Sequence, residues 1–294
     1  MSSASLIFVT GKGGVGKSTV AAMVAMSYAE QGKRTLLVEI GDSSYYQKLF
    51  GRPVSFEPVS LAPNLSVSHW EWFRCLKEYV THVVKLEALT NLFFENAIMK
   101  SIIQVAPGLP EIALLGKFTS TIRQVGSKMP FDVIVMDAHA TGHALSMLRA
   151  PRGLFETIGF GPLGDHSKGI YNTMLDPKHV RYITVSLPEE LPVTETVEFT
   201  AILKSEFNIE SEVWLNKVLP MASSEAQIEK WHSEESKPEV KKIIKYIVSQ
   251  TKKQKTSFTI LEKTKKLKTI LYYQSLQGDA LQWLKTLKEE SKNA

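Results

Sequence analysis

Gly11-Lys12-Gly13-Gly14-Val15-Gly16-Lys17-Ser18-Thr19 is the stretch whose residue types and spacing bear most directly on chemistry. It fits G-x-x-x-x-G-K-[ST], with an apolar strand before it and a helix after it, the context that marks a phosphate-binding loop. Glycines let the backbone curl until successive N–H groups point inward at phosphate oxygens. A helix opening near Lys17 adds the positive end of its dipole. Lys17 is expected to reach the β- and γ-phosphates, and the Ser18 hydroxyl to serve Mg²⁺. A plain glycine turn has no need of Lys17-Ser18 directly after its last glycine, so ATP with Mg²⁺ is the expected ligand.

The second candidate is an acid. Phe131-Asp132-Val133-Ile134-Val135-Met136-Asp137 reads as a buried strand ending in a carboxylate. Asp137 at that position can hold Mg²⁺ through its water shell. An apolar strand ending in Asp says little alone. Here Ala138-His139-Ala140-Thr141-Gly142-His143 follows it.

These motifs resemble those of a known family. Gly-Lys-Gly-Gly-Val-Gly-Lys-Ser-Thr is similar to the deviant, signature-lysine loop shared by division-site and plasmid-partition ATPases, nitrogenase iron protein and arsenite-pump ATPases. Asp137-x-x-x-Thr141-Gly142-His143 resembles switch II of the arsenite-pump and tail-anchored-protein-targeting branch. Ala106–Glu111 resembles a Pro-Gly segment that precedes a helix in this family, Leu148-Arg149-Ala150-Pro151 and the Leu187–Glu195 run are similar to its bacterial branch, and the resemblance covers roughly Leu6 to Pro220. It implies a Mg²⁺-dependent, ATP-hydrolysing dimeric switch, a homodimer or a heterodimer with a paralogue. Lys12 would reach phosphates bound by the partner subunit, an effect comparable to an arginine finger and worth roughly 10³–10⁵ in rate in other NTPases. Asn216, in Leu215-Asn216-Lys217, matches the family's adenine contact. From the residues alone, Asn216 reads as a strand-end turn residue.

The chain departs from that pattern at the first switch, where the family has Asp-Pro-Ala-His. The equivalent stretch is Val38-Glu39-Ile40-Gly41-Asp42-Ser43-Ser44, and the water-orienting acid falls on Gly41. Asp42 is the nearest substitute, with Gly41 allowing the adjustment. Glu39 is expected to face away if the strand runs through it, because alternate residues point to opposite faces. His139 replaces a switch II proline, which frees φ there. The candidate catalytic residues are therefore Lys12, Lys17, Asp42 and Asp137. Cys75 is the one cysteine, so the zinc-bridging Cys-x-x-Cys and the arsenite-binding cysteine set are both missing. No zinc or arsenite site is expected.

The elements around these motifs alternate as in a doubly wound α/β fold. Leu6–Val9 and Thr35–Val38 read as strands around a helix from Ser18 to Gln31, which Gly32 stops. Later strands are expected at Tyr182–Val185, Val213–Leu215 and Thr269–Tyr272, with a helix over Glu195–Glu206 and a terminal helix capped by Asp279. Between the second strand and Phe131, apolar residues at helical spacing predict an inserted helical subdomain over 64–128. Trp70, Trp72, Phe73, Leu76, Tyr79 and Val80 make up one such series, and Leu86, Leu89, Leu92 and Phe93 another. The expected architecture is one P-loop NTPase domain over 1–294, a mostly parallel sheet flanked by helices. A lysine-rich segment over 221–268 is left without an assigned structure.

Composition fits this reading. Of 294 residues, 44% are hydrophobic and 22% charged, enough apolar material for a sizeable core. The net charge of +5 is concentrated in the lysines between 237 and 268, leaving the remainder mildly acidic. Such a block binds nucleic acid or an anionic surface in some proteins, and is a solvated helical face in more. Nucleic acid is not an expected partner. No run of about 18 apolar residues reads as a membrane span, and the amino terminus lacks a signal-peptide layout, so the expected compartment is the cytoplasm. The leading function is a nucleotide-driven switch holding a protein cargo or membrane-associated partner, with Trp70, Trp72, Phe73, Phe93, Phe94 and Met99 as candidates for an apolar groove. A slow regulatory half of a heterodimer and a partition-type ATPase are the alternatives.

Overall fold

The computed structural model describes residues 5–41, 43–84, 108–126, 129–159, 161–220, 230–231, 233–234, 237–276 and 278–293. One sheet holds β1 (Leu6–Gly11), β2 (Thr35–Ile40), β3 (Val59–Ala62), β4 (Leu65–Trp70), β5 (Val133–Ala140), β6 (Val180–Ser186), β7 (Ser211–Val218), β8 (Leu267–Tyr272) and β9 (Lys292–Asn293). Their spatial order is β3-β4-β2-β5-β1-β6-β7-β8-β9. All pairs are parallel except β3 on β4 and β8 on β9, at the two edges.

Every residue of β1 and β2 is buried, as continuous apolar runs require when helices cover both faces. Alternation divides these strands between two cores. Leu6, Phe8, Leu36, Val38, Ile134 and Met136 face one side, and Ile7, Val9, Leu37, Val133 and Val135 the other. The second face is closed by α1 (Lys17–Glu30) and by α9 (Ala280–Glu289), whose Leu284 and Leu287 point inward. Asp279 caps α9 as its sequence implies, accepting from Leu281 N and Gln282 N at 3.0 and 3.1 Å. The first face lies beneath α3 (Trp72–Val84), α4 (Leu109–Arg123), α5 (Thr141–Ile158), α6 (Pro162–Leu175) and α7 (Glu190–Phe207).

One expectation changes. Residues 65–70 are not helical: they form β4, paired in parallel along the whole of β2. Trp70 is the last strand residue, and its spacing from Trp72 and Phe73 mimicked a helical series. The two helices that follow β4 among the described residues, α3 and α4, contribute Cys75, Leu76, Ile112 and Leu115 to the same core as the sheet. Leu86, Leu89, Leu92, Phe93, Phe94 and Met99 lie outside the described residues.

The lysine-rich segment contains α8 (Pro238–Lys263), whose inward side carries Thr251, Gln254, Ser257 and Leu261. The Gln254 side chain accepts from Leu219 N at 2.7 Å, just past the carboxyl end of β7. The half of α8 before Thr251 has no buried residue, and Ile243 and Tyr246 are 59% and 63% exposed. That half therefore overhangs the carboxyl edge of the sheet, the edge where ligands bind in open α/β folds. No helix among the described residues is long and apolar enough to cross a membrane.

Candidate functional site

The glycine loop leaves the carboxyl end of β1 and enters α1 at Lys17. Two of its glycines are fixed by close approach. A Cβ on Gly11 would lie 2.2 Å from Val185 O in β6, and one on Gly16 would lie 2.4 Å from Asn216 Nδ2. Gly13 and Gly14 instead face open space, with nothing within 4 Å of an added Cβ. Lys17 curls over the loop and donates to Lys12 O at 3.3 Å. Burial lowers its pKa, and the neighbouring Asp137 opposes that shift. The Thr19 hydroxyl lies 3.3 Å from the Tyr45 hydroxyl.

Asp137 sits in β5, 8% exposed, with Val9 on one side of it in register and Glu39 on the other. Burial pushes its pKa up to about 6, against hydrogen bonds from the Ser18 and Tyr46 hydroxyls and the charge of Lys17. The Glu39 carboxylate adds to the rise. Glu39 therefore does not face away: paired residues of a parallel ladder share a face, and β2 runs straight through it. It is 4% exposed and spends both oxygens on the start of α2 (Tyr45–Phe50), accepting from Ser44 Oγ and Tyr45 N at 2.5 Å each. Asp42 lies outside the described residues.

A stability consequence follows from Asp137. Its folded pKa is above the ordinary 3.8, so folding disfavours the charged form. The stability it contributes is complete below about pH 4 and is lost as pH rises through about 6. A shift of about two units corresponds to roughly 3 kcal/mol. Metal-free Asp137→Asn is therefore expected to melt several degrees above the parent at about pH 7.5 and to converge with it near pH 4. Thermal unfolding in EDTA checks this; a variant melting below the parent at the higher pH contradicts it.

The other sequence-derived candidates divide. Asn216 is 4% exposed and braces the loop, donating to Val15 O at 2.9 Å while its Oδ1 accepts from Lys217 N. Lys12 is partly exposed and forms an ion pair with Glu195 of α7 at 2.6 Å. In switch II, Thr10 Oγ1 donates to His139 O at 2.7 Å, tying β1 to the end of β5. The His139 and His143 rings stack 4.1 Å apart, and His143 Nε2 lies 3.2 Å from Glu111 Oε1 on α4. His69 Nε2 reaches Gly41 O at 2.7 Å. Between the two switches is a cavity of about 440 Å³, lined among others by Gly41, Trp70, Phe73, His139 and His143. Tyr46 is the participant that sequence reading missed, because no motif carries it; Glu39 is expected from the sequence to face away, and Glu195 enters there only as the end of the Leu187–Glu195 run. Cys75 is buried, its thiol pushed up to about 12 by burial.

The family model described as "Anion-transporting ATPase" matches residues 4–159. A "Putative arsenical pump-driving ATPase" of Halobacterium salinarum is 32% identical over 237 residues, covering 73% of this chain and 35% of that protein. "ATPase BagA" of Mycobacterium tuberculosis is 29% identical over 206 residues, covering 67% and 60%. An "Arsenical pump-driving ATPase" of Escherichia coli is 26% identical over 237 residues, covering 73% and 39%. The chain thus spans between about a third and three fifths of the length of these relatives. With the family model matched across the glycine loop, both switches and more than half its length, this chain belongs to the anion-transporting, ArsA-type ATPase family.

Proposed function

We propose that this chain hydrolyses ATP with Mg²⁺, that two subunits close over the nucleotide, and that opening and closing controls a protein partner. The observation that carries the reading is the buried Asp137 carboxylate beside the Ser18 hydroxyl and Lys17, both of which oppose the rise in its pKa. A hydroxyl with a carboxylate is an oxygen donor set suited to a small hard cation. Ser18 and Asp137 would hold Mg²⁺ there, and the ion would supply neutralisation of phosphate charge. The chain's own residues supply the remaining work. Loop N–H groups from Gly13 to Thr19, with Lys17, hold the phosphates; Asn216 has an amide hydrogen left for adenine; Asp42 orients the attacking water.

Lys12 motivates the dimer. Its ion pair with Glu195 joins groups that are each more than a third exposed, and such pairs contribute about 0–1 kcal/mol. Lys12 can therefore exchange Glu195 for a phosphate across an interface at little cost. The apolar residues of α8 that overhang the same edge, Ile243, Tyr246 and Ile247, support association there. The cavity touching Gly41, His139 and α3 gives both switches a route to a partner's surface. The arsenical named for the relatives is not carried over, since thiolate ligands are needed and Cys75 is a buried, protonated thiol.

Single-turnover hydrolysis, run beside sedimentation with Mg·ADP and with a non-hydrolysable ATP analogue, tests this. Slow hydrolysis and a dimer in the ATP-like state are expected. Asp42→Asn should leave affinity within a few-fold and cut turnover at least about tenfold, roughly 1.4 kcal/mol of transition-state stabilisation. Turnover by a strict monomer would sink the dimer, and an unchanged rate in Asp42→Asn would remove Asp42 from its role. Gly41 favours a second reading, because it has no side chain to orient water. A parent without hydrolysis in a single turnover would be the regulatory half of a heterodimer with an active paralogue.

A further inference from the structure

Tyr46 belongs to the switch I helix α2, yet its hydroxyl reaches the metal-binding residues of two other elements. Its side chain is fully buried, at 0% exposure. The hydroxyl donates to Ser18 O at 2.9 Å and lies 3.3 Å from Asp137 Oδ2. A phenol has one hydrogen, so it is shared between the backbone of one proposed metal-site residue and the carboxylate of the other. Phe50 stacks on the ring at 5.9 Å, which fixes where the hydroxyl points. The helix carrying it is fastened at its start by Glu39, through Ser44 Oγ and Tyr45 N, and Ser44 caps it by accepting from Gln47 N. Neighbouring Tyr45 adds a contact to Thr19.

These contacts make one mechanical connection. Glu39 and Asp137 are register partners on adjacent strands. The helix between Glu39 and Tyr46 therefore starts on one acid and returns to the other. Any displacement of α2 must move the Tyr46 hydroxyl relative to Ser18 and Asp137, or break the Glu39 anchor. We propose that Tyr46 is a positioning residue for the magnesium site, coupling switch I to the geometry of Ser18 and Asp137. This rests on the reading of that site as the Mg²⁺ site of an ATPase.

A tyrosine that only fills space predicts something different. Phenylalanine keeps the ring and its packing, so a packing role leaves metal dependence unmoved. Tyr46→Phe is tested by titrating nucleotide with calorimetry, in EDTA and across a Mg²⁺ series, using the full chain and ADP as the probe. Binding in EDTA is expected to stay within about twofold of the parent. The Mg²⁺ concentration giving half of the metal-dependent gain is expected to rise roughly tenfold, as for loss of a hydrogen bond to a charged group. Tyr45→Phe removes the adjacent hydroxyl and is expected to keep the parental Mg²⁺ midpoint. Equal midpoints for the parent and Tyr46→Phe overturn the proposal and leave the ATPase reading intact. A midpoint raised equally by Tyr45→Phe also overturns it, since a general loosening of α2 would then be the cause. A parent whose nucleotide binding ignores Mg²⁺ overturns both the proposal and the site assignment beneath it.

Discussion

Replacing Lys17 with alanine is expected to weaken ATP binding by at least about a hundredfold. Removing one partner of a buried, hydrogen-bonded charge pair costs about 2–5 kcal/mol, which in affinity is a factor of tens to thousands. Lys17 is half-buried at the first position of α1, and its ammonium bends back over the loop to Lys12 O. In the proposed site the loop amides and this ammonium together hold the phosphate chain. The substitution should not weaken the nucleotide-free fold. Burial already disfavours the charged lysine there, and Asp137 only partly offsets this. Calorimetric titration with Mg·ATP and thermal unfolding without nucleotide separate the two effects. Undiminished affinity in a well-folded Lys17→Ala variant would show that the loop is not the phosphate site.

Much of this site was legible in the sequence because its parts are local. Lys17 and Ser18 follow the last loop glycine directly, and the strand reading into Asp137 puts that acid at the same end of the sheet as the loop. The register across β2, β5 and β1 then does what a parallel sheet must, bringing Glu39, Asp137 and Val9 side by side. That register was not legible. Glu39 was expected to point away because its face depends on where pairing begins, and one residue of slip reverses every side chain. Tyr46 escaped notice for another reason: its hydroxyl bonds to residues 28 and 91 positions distant, and no spacing rule connects them. Trp70 was misread because one strand-end aromatic followed by Trp72 and Phe73 fits helical and alternating patterns equally. The lysine block hid a helix for a simpler reason. Only the second half of α8 packs on the body, and its inward side of Thr251, Gln254, Ser257 and Leu261 is mostly polar, so no apolar stripe marked the helix.

Lys12→Ala is expected to do the opposite of Lys17→Ala, keeping nucleotide affinity within a few-fold while turnover falls by roughly 10³ or more, the scale of a cation supplied in trans. The reason is positional. Within one chain the Lys12 ammonium is occupied by Glu195 on α7, 2.6 Å away, while its backbone carbonyl faces Lys17. Its side chain therefore takes no part in the phosphate pocket of its own subunit, and alanine there removes nothing that holds ATP. Loss of the ion pair costs little stability because both groups are substantially exposed. In the proposed dimer, what alanine removes is a cation available to a second subunit once closure breaks the pair with Glu195. Phosphoryl transfer depends on positioned charge, so a missing cation acts on rate rather than on affinity. Glu195→Gln supplies the matching control: releasing Lys12 should leave turnover intact or raise it, and should ease ATP-dependent dimerisation. Affinity by calorimetry, association by sedimentation and rate by single turnover together read the outcome. A Lys12→Ala chain that turns over ATP at the parental rate would mean that Lys12 is an ordinary surface lysine paired with Glu195.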